Sequence, residues 1–342
     1  MERAMSEPIL NKSTAVTHKI AVVVPSYKVR AHILDVIASI GPECQLVYVI
    51  DDHCPEGSGE YVERNCRDSR VRVLRNARNL GVGGAVLAGY RQAIADGADI
   101  IVKIDGDGQM DPSLLPTFVA PILAGSADYT KGNRFFDLTS LSTMPKLRIF
   151  GNAALSFMAK LSTGYWNLFD PTNGYTAIHA RVAEHIPFDK ISTRYFFESD
   201  LLFRLNTLRA VVVDIPMDAR YADEVSNLHI RRIVGEFFLK NLRNTFKRVF
   251  YNYFLRDFSV ASLELIFGLP MLIFGVAFGI SSWSAFSHSG IAAPSGTVML
   301  AALPVLLGFQ LLLAFLSYDI SAIPRTVLHR LLPKRGSSLN TD

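Results

Sequence analysis

Asp105 and Asp107 stand two residues apart in KIDGDGQMDP, with a glycine between and another after them, directly behind the apolar run DIIVKI at 99–104. Two carboxylates at that spacing on a turn can approach one divalent cation, and Gln109 can add a carbonyl oxygen. An all-oxygen set suits Mg2+ or Mn2+, hard ions that keep waters and bind substrate phosphates. Asp and Gly also build ordinary turns. A second acidic strand end decides for the cation: Asp51 and Asp52 follow LVYVI at 46–50. Their carboxylates can accept from a ribose hydroxyl or a base N–H, or else cap a turn. A third apolar run, IAVVV at 20–24, is followed by PSYK. Three apolar runs thus end in groups suited to a nucleotide.

These runs, with VRVL at 71–74, are β-branched and bounded by Pro, Asp or Gly, and they read as buried strands. Between them Ala31 to Ile40, Gly59 to Cys66 and Gly84 to Ala95 read as helices. The alternation gives a mostly parallel sheet covered on both faces, whose ligands bind beyond the carboxyl ends of its strands. From Phe135 to Leu228 the pattern is less regular: helix-like Leu147 to Leu161, turn-rich FDPTNGY at 169–175, helix-like Glu198 to Leu208 and strand-like AVVVDIP at 210–216. This half is expected to complete the site. NLGVGGAVLAGY at 79–90 looks like a dinucleotide loop but fails as one, because Val86 replaces its third glycine and the loop follows the third strand. Its small residues, Gly83 among them, either let the following helix pack closely under a nucleotide or simply make a tight turn.

Of the 342 residues 49% are hydrophobic and 19% charged, and the apolar excess lies at the end: Leu265 to Tyr318 contains no Asp, Glu, Lys or Arg. Leu265 to Phe286 and Val298 to Tyr318 are each long enough to cross about 30 Å of hydrocarbon. The connecting SHSGIAAPSG has no basic residue, whereas Lys247, Arg248 and Arg256 precede the pair and Arg325, Arg330, Lys334 and Arg335 follow it. The positive-inside tendency makes this a hairpin with both ends cytoplasmic. Just before it, Arg231 to Arg256 interleaves Lys240, Arg243, Lys247 and Arg248 with Phe237, Phe238, Phe246, Phe250, Tyr251, Tyr253 and Phe254. Such a helix either lies in a membrane interface or packs its aromatics on the globular part.

The formal charge of +4 is too small to indicate nucleic-acid binding. Cys44, Cys54 and Cys66 are odd in number and form no CxxC, which disfavours a zinc site or a disulfide framework and suits a reducing compartment. The first residues lack the apolar core of a signal peptide.

The order PSY, IDD, NLGxGGA, DGDGQ, GNRF, DPTNGY and ESDLL, over residues 19–228, resembles family 2 glycosyltransferases of the GT-A fold. Within them it is most similar to the dolichyl- and undecaprenyl-phosphate sugar transferases with membrane hairpins. The resemblance implies a GT-A type, Rossmann-like α/β domain over 19–229, after a tail at 1–18. A juxtamembrane helix at 230–257, the hairpin at 263–320 and a basic tail at 321–342 would follow. It implies that Pro25, Tyr27, Asp52 and Gly83 bind the nucleotide sugar and that Asp105, Asp107 and Gln109 hold the metal across the donor diphosphate. Arg134 and Arg148 would lie near the phosphates, and Asp170 would face donor and acceptor. One departure stands out: the family continues its first motif as PxYNE, whereas Lys28 and Val29 stand here, so Lys28 would contact phosphate instead. The expected activity is inverting transfer of a hexose from a nucleotide sugar to a polyprenyl phosphate, with Asp107 and Asp170 as catalytic residues, at a bacterial inner membrane. A phosphate acceptor is already largely dianionic at neutral pH. A lipid-linked saccharide hydroxyl would need a base, for which Asp200 is the candidate. A silent nucleotide-sugar-binding scaffold is the reading that intact Asp105, Asp107 and Gln109 argue against. The hairpin is compatible with self-association.

Overall fold

The computed structural model describes residues 18–136, 146–218 and 230–333. The four β-branched runs form strands β1 (Ile20–Ser26), β2 (Leu46–Asp51), β3 (Val71–Arg75) and β4 (Ile100–Lys103). Between them lie helices α1 (Ile33–Ala38), α2 (Ser58–Asn65) and α3 (Val82–Ala95). The strands pair parallel in the order β3-β2-β1-β4, with Val22 of β1 opposite Val47 of β2 and Val102 of β4. Side chains alternate across the sheet. Ala21, Val23, Tyr48 and Ile101 therefore meet Tyr90 and Ala93 of α3 on one face. Val22, Val24, Val47 and Val102 meet Ile33 and Ile37 of α1 and Phe118 of α4 (Leu115–Leu123) on the other. With both faces covered, every residue of β1, β2 and β4 is buried.

The second half extends the same sheet to β3-β2-β1-β4-β6-β5-β7. Its strands are β5 (Tyr129–Asn133), β6 (Thr176–His179) and β7 (Val212–Pro216). β6 runs antiparallel to β4 and β5, and β7 is parallel to β5. The helices of this half are α5 (Lys146–Thr163), α6 (Ala180–Glu184) and α7 (Phe197–Leu208). The sheet is mostly parallel, as the alternation predicts. β5 and β6 have no counterpart in the sequence reading, because YTKGN and TAIH are short and partly polar.

Beyond β7 come α8 (Ile230–Phe250), a π-helical turn at Tyr251–Arg256, α9 (Val260–Ser289) and α10 (Ser295–Ser321). The last two are long and apolar enough to cross a membrane, with mean hydropathies of 2.1 and 2.4, and most of their surface is exposed. Both run past the uncharged segments seen in the sequence. The Ser262 hydroxyl accepts from the Ser259 amide at 3.0 Å where α9 starts, before Glu264, and α10 continues through the buried Asp319. The two helices touch through glycine: a Cβ at Gly308 would lie 2.6 Å from the Leu272 amide nitrogen and 2.8 Å from the Gly268 carbonyl oxygen.

α8 is amphipathic in an unusual sense. Asn241, Asn244 and Arg248, spaced three or four residues apart, are buried, as is Asn252 in the turn that follows. Asn241 accepts from the Ser162 hydroxyl at 2.6 Å, Asn244 donates to Asp200 at 3.1 Å and Asn252 donates to Asn206 at 3.0 Å. Phe238, Leu239, Leu242, Phe246 and Phe250 are exposed. The helix does pack on the globular part, but chiefly through its polar stripe, with most of its aromatics turned outward.

Arg248 closes this seam on Asp319 with two contacts of 2.6 and 2.9 Å. Trp166 Nε1 at 2.8 Å and the Tyr253 hydroxyl at 2.5 Å also donate to Asp319. After α10 the chain returns to the globular part, where Ile323, Leu328 and Leu332 join the α3-side core. Buried Asp128 accepts from the Leu328 and His329 amides and from His329 Nδ1, each at 2.8 Å. The first part of the tail is thus docked, and 334–342 lie outside the described residues.

Removing one partner of a buried ion pair strands the other charge. Arg248→Met or Asp319→Leu alone is expected to cost about 3–5 kcal/mol in denaturant unfolding in detergent, and the double variant to recover most of that loss. Additive costs would contradict this account of the seam.

Candidate active site

The carboxyl ends of the parallel strands open into a cleft of about 910 Å3. It lies where the strand order turns, with β2 on one side of β1 and β4 on the other. Pro25, Ser26 and Tyr27 enter from β1, Asp52 from the end of β2, and Lys103, Asp105, Asp107 and Gln109 from the end of β4. Arg134 after β5, Thr172 to Gly174, Arg194, Tyr195 and Glu198 close the opposite wall, and α8 contributes Phe237. Phe237 meets the Phe196 ring edge-on at 5.3 Å.

Asp105, Asp107 and Gln109 therefore face one space. The Asp107 carboxylate accepts from the Gln109 amide at 3.0 Å, which shapes the turn. Among the described residues no three His, Cys, Asp or Glu side chains converge as a self-sufficient metal cage. Two carboxylates and an amide oxygen fit an ion that completes its shell with water and substrate phosphate, as Mg2+ and Mn2+ do.

Beneath Asp105 lies a feature that the motif alone does not reveal. The Lys103 ammonium, 1% exposed, is 2.9 Å from Asp105 Oδ1 and 3.5 Å from Glu198 Oε1. Burial works against its charge, but Asp105 and then Glu198 overcome the penalty and raise its pKa above the ordinary lysine value. Gly174 makes room for the group: a Cβ there would lie 2.5 Å from Lys103 Nζ and 2.6 Å from Asp105 Oδ2.

Asp52 lines the cleft, yet its carboxylate is engaged in holding the next loop. It accepts from Asn76 Nδ2 at 2.8 Å and from the amides of Leu80 at 2.9 Å and Gly81 at 2.7 Å. Gly81 takes a φ of +84°, where glycine is favoured. Gly83 is not among the cleft-lining residues; a Cβ there would lie 2.7 Å from Phe197, so its smallness serves the contact of α3 with α7. Gly89 likewise lets α3 approach Val23 of β1.

Arg134 reaches the cleft, but Asp170 sits behind it rather than facing the cavity. Asp170 is 1% exposed and takes the guanidinium in a fork, 2.8 Å to Nε and 3.2 Å to a terminal nitrogen. Burial opposes its charge, and Arg134 outweighs that and holds the carboxyl below the usual range. Asp170 thus positions Arg134. The fully buried Lys131, which donates to the Asn173 carbonyl, braces the same turn; burial brings its pKa down to about 8 against the pull of Glu198 and Asp170. Arg148 lies on α5, and its side chain is outside the described residues, as is ARYADEVSNL at 219–228.

Lys28 is exposed beside the cleft, with a φ of +58° and its amide donating to Cys54 Sγ at 3.2 Å. Asp200 does not line the cleft. Its oxygens accept from the Ser192 amide at 2.8 Å and from Asn244 at 3.1 Å, joining α7 to α8. A buried carboxylate engaged in this way is not placed to take a proton from an acceptor hydroxyl. The residues that sequence reasoning missed are Lys103, Arg194, Tyr195 and Phe237. Only Lys103 carried a signal, as a lone cation inside an apolar strand.

Residues 21–186 match the family model described as Glycosyl transferase family 2. The chain is 32% identical over 173 residues to the undecaprenyl-phosphate mannosyltransferase of Micrococcus luteus, covering 50% of this chain and 70% of that one. It is 29% identical over 154 residues to the UDP-N-acetylglucosamine--dolichyl-phosphate N-acetylglucosaminyltransferase of Methanococcus voltae, covering 45% and 61%. In fold it is similar to the glucosyl-3-phosphoglycerate synthase of Mycobacterium tuberculosis, crystallised with Mn2+, UDP-glucose and phosphoglyceric acid. That likeness has a TM-score of 0.50 at 19% identity and covers 68% of this chain and 79% of that one.

Asp52→Ala strips one acceptor from three donors. It is expected to cost about 2–3 kcal/mol in denaturant unfolding and to weaken calorimetric binding of UDP or GDP by about tenfold. No change in either quantity would contradict the role given to Asp52.

Proposed function

We propose, from the premise that this chain belongs to glycosyl transferase family 2 and is a glycosyltransferase, that it glycosylates a lipid phosphate. A hexose passes from a UDP-glucose or GDP-mannose type donor to undecaprenyl or dolichyl phosphate at the cytoplasmic face of a membrane. The observation that carries the acceptor class is α8. It turns its polar stripe to the globular part and its aromatic face outward, puts Phe237 into the cleft, and leads into the apolar pair α9 and α10. A helix arranged this way suits an interface between water and lipid. The named relatives that act on undecaprenyl and dolichyl phosphates support the same reading. The proposed domains follow: a catalytic GT-A unit, an interfacial helix, a spanning hairpin and a tail on the cytoplasmic side.

The acceptor phosphate oxygen attacks the anomeric carbon as the bond to the donor diphosphate breaks, and the electron pair leaves with that diphosphate. One displacement inverts the anomeric centre. Asp105, Asp107 and Gln109 would hold Mg2+ or Mn2+, which supplies charge stabilisation to the leaving diphosphate. Arg134, held by Asp170 through Nε and one terminal nitrogen, brings a fixed positive charge to the cleft wall, where it would face the phosphates. An acceptor dianion brings no proton to remove, which agrees with the engagement of Asp200 elsewhere. Tyr27 and Pro25, at the end of β1, form the wall against which the base would rest.

The test is transfer from labelled UDP- and GDP-sugars to undecaprenyl phosphate by the purified protein with Mn2+ or Mg2+. One donor is expected to give a lipid-extractable product that chelator abolishes. Asp107→Asn is expected to lower turnover by about a hundredfold or more with the unfolding midpoint unchanged. Transfer that survives both chelator and Asp107→Asn would remove the metal mechanism, and absence of product with every donor would remove the acceptor assignment.

A further inference from the structure

We propose that Lys103 makes divalent-cation binding in this cleft depend on the donor diphosphate. The inference rests on the reading of Asp105 and Asp107 as metal carboxylates. Lys103 ends β4 on the face that meets α7, and its ammonium lies between Asp105, just past the strand, at 2.9 Å and Glu198 of α7 at 3.5 Å. The group is 1% exposed and closed over by the turn carrying Gly174, where even a Cβ would press on it at 2.5 Å. An ammonium so enclosed is a permanent resident of the site.

Its consequence is electrostatic. Asp52, Asp105, Asp107 and Glu198 bring four negative charges to the cleft and Lys103, Arg134 and Arg194 return three positive ones, of which the Lys103 ammonium lies against Asp105 and Glu198. A divalent ion held by Asp105 must share that carboxylate with a cation already in place, and like charges in a partly desolvated site repel strongly. With no third acidic ligand converging among the described residues, the protein alone is a weak metal site. A nucleoside diphosphate adds the missing negative charge and oxygen ligands, so metal and nucleotide strengthen each other's binding by the same factor. Lys103 and Glu198 are positioning residues in this scheme: they set the charge that Asp105 presents. A lysine suits the place because its ammonium is a compact point charge.

The experiment measures the Kd for Mn2+ by electron paramagnetic resonance on the full chain in detergent. It is run without nucleotide and with saturating UDP or GDP, after subtracting the Mn2+ that the free nucleotide holds. Wild type is expected to bind Mn2+ about tenfold or more tightly when nucleotide is present. Lys103→Met is expected to tighten nucleotide-free binding by about tenfold and to lose most of the nucleotide effect. Glu198→Gln removes a negative charge instead, and is expected to weaken nucleotide-free binding. It keeps the test decisive if Lys103→Met does not fold. The proposal is overturned if the nucleotide leaves wild-type affinity unchanged, if the two variants shift nucleotide-free affinity in the same direction, or if neither shifts it. Absence of Mn2+ binding by wild type with or without nucleotide would overturn the metal reading itself, and this inference with it.

Discussion

A buried carboxylate, Asp319, ties the apolar helices to α8 and the globular part. It sits near the end of α10 and receives Arg248, Tyr253 and Trp166 from α8, the turn after it and the globular part. A charge in that position cannot be left alone, because an unpaired buried ion costs several kcal/mol. The hairpin therefore cannot swing away from the globular part without exposing or orphaning Asp319 and Arg248 together. The docked segment after α10 adds a second attachment through Asp128. Between these two points the base of the hairpin is held against the sheet, and the orientation of α8 follows. With Asn241, Asn244 and Arg248 committed inward, its aromatics have only the outside to face.

The same logic separates the acidic residues in and around the cleft, which look alike in sequence. Asp51 and Asp52 are adjacent, yet both are spent on backbone amides: Asp51 on Cys54 and Gly59, Asp52 on Leu80 and Gly81. They shape the rim. Asp170 is spent on Arg134 and Asp200 on Ser192 and Asn244. Asp105 and Asp107 stand at the cleft floor together with Gln109. Environment, rather than residue type, thus sorts positioning carboxylates from those fit to meet a cation.

Much of this was legible in the chain. β1, β2 and β4 announce themselves because burial on both faces demands an unbroken apolar run, and α9 and α10 because some 50 residues without charge have few other uses. β5 and β6 did not: Lys131, Asn133 and Thr176 interrupt their apolar character, and only the neighbouring strands make them strands. Site residues divided along another line. Spacing brought Asp105, Asp107 and Gln109 together behind one apolar run and the family resemblance supplied Pro25, Tyr27 and Arg134; all six line one cleft. Neither could tell that Asp170 and Asp200 turn away from the cavity, or that Gly83 faces Phe197, because side-chain direction depends on packing. The return of Leu328 and His329 to Asp128 has no periodicity to betray it.

If the cleft is built to serve the membrane, the acceptor should be chosen by where it lives as well as by its phosphate. The most direct measurement reconstitutes the full chain in vesicles containing undecaprenyl phosphate, with glycerol 3-phosphate in the surrounding buffer as a competing phosphomonoester. The labelled donor is supplied once and both acceptor pools are then counted. Nearly all label is expected in the lipid fraction, because tethering raises the effective concentration of an acceptor that never leaves the bilayer. Equal or greater transfer to the soluble phosphate would contradict the account.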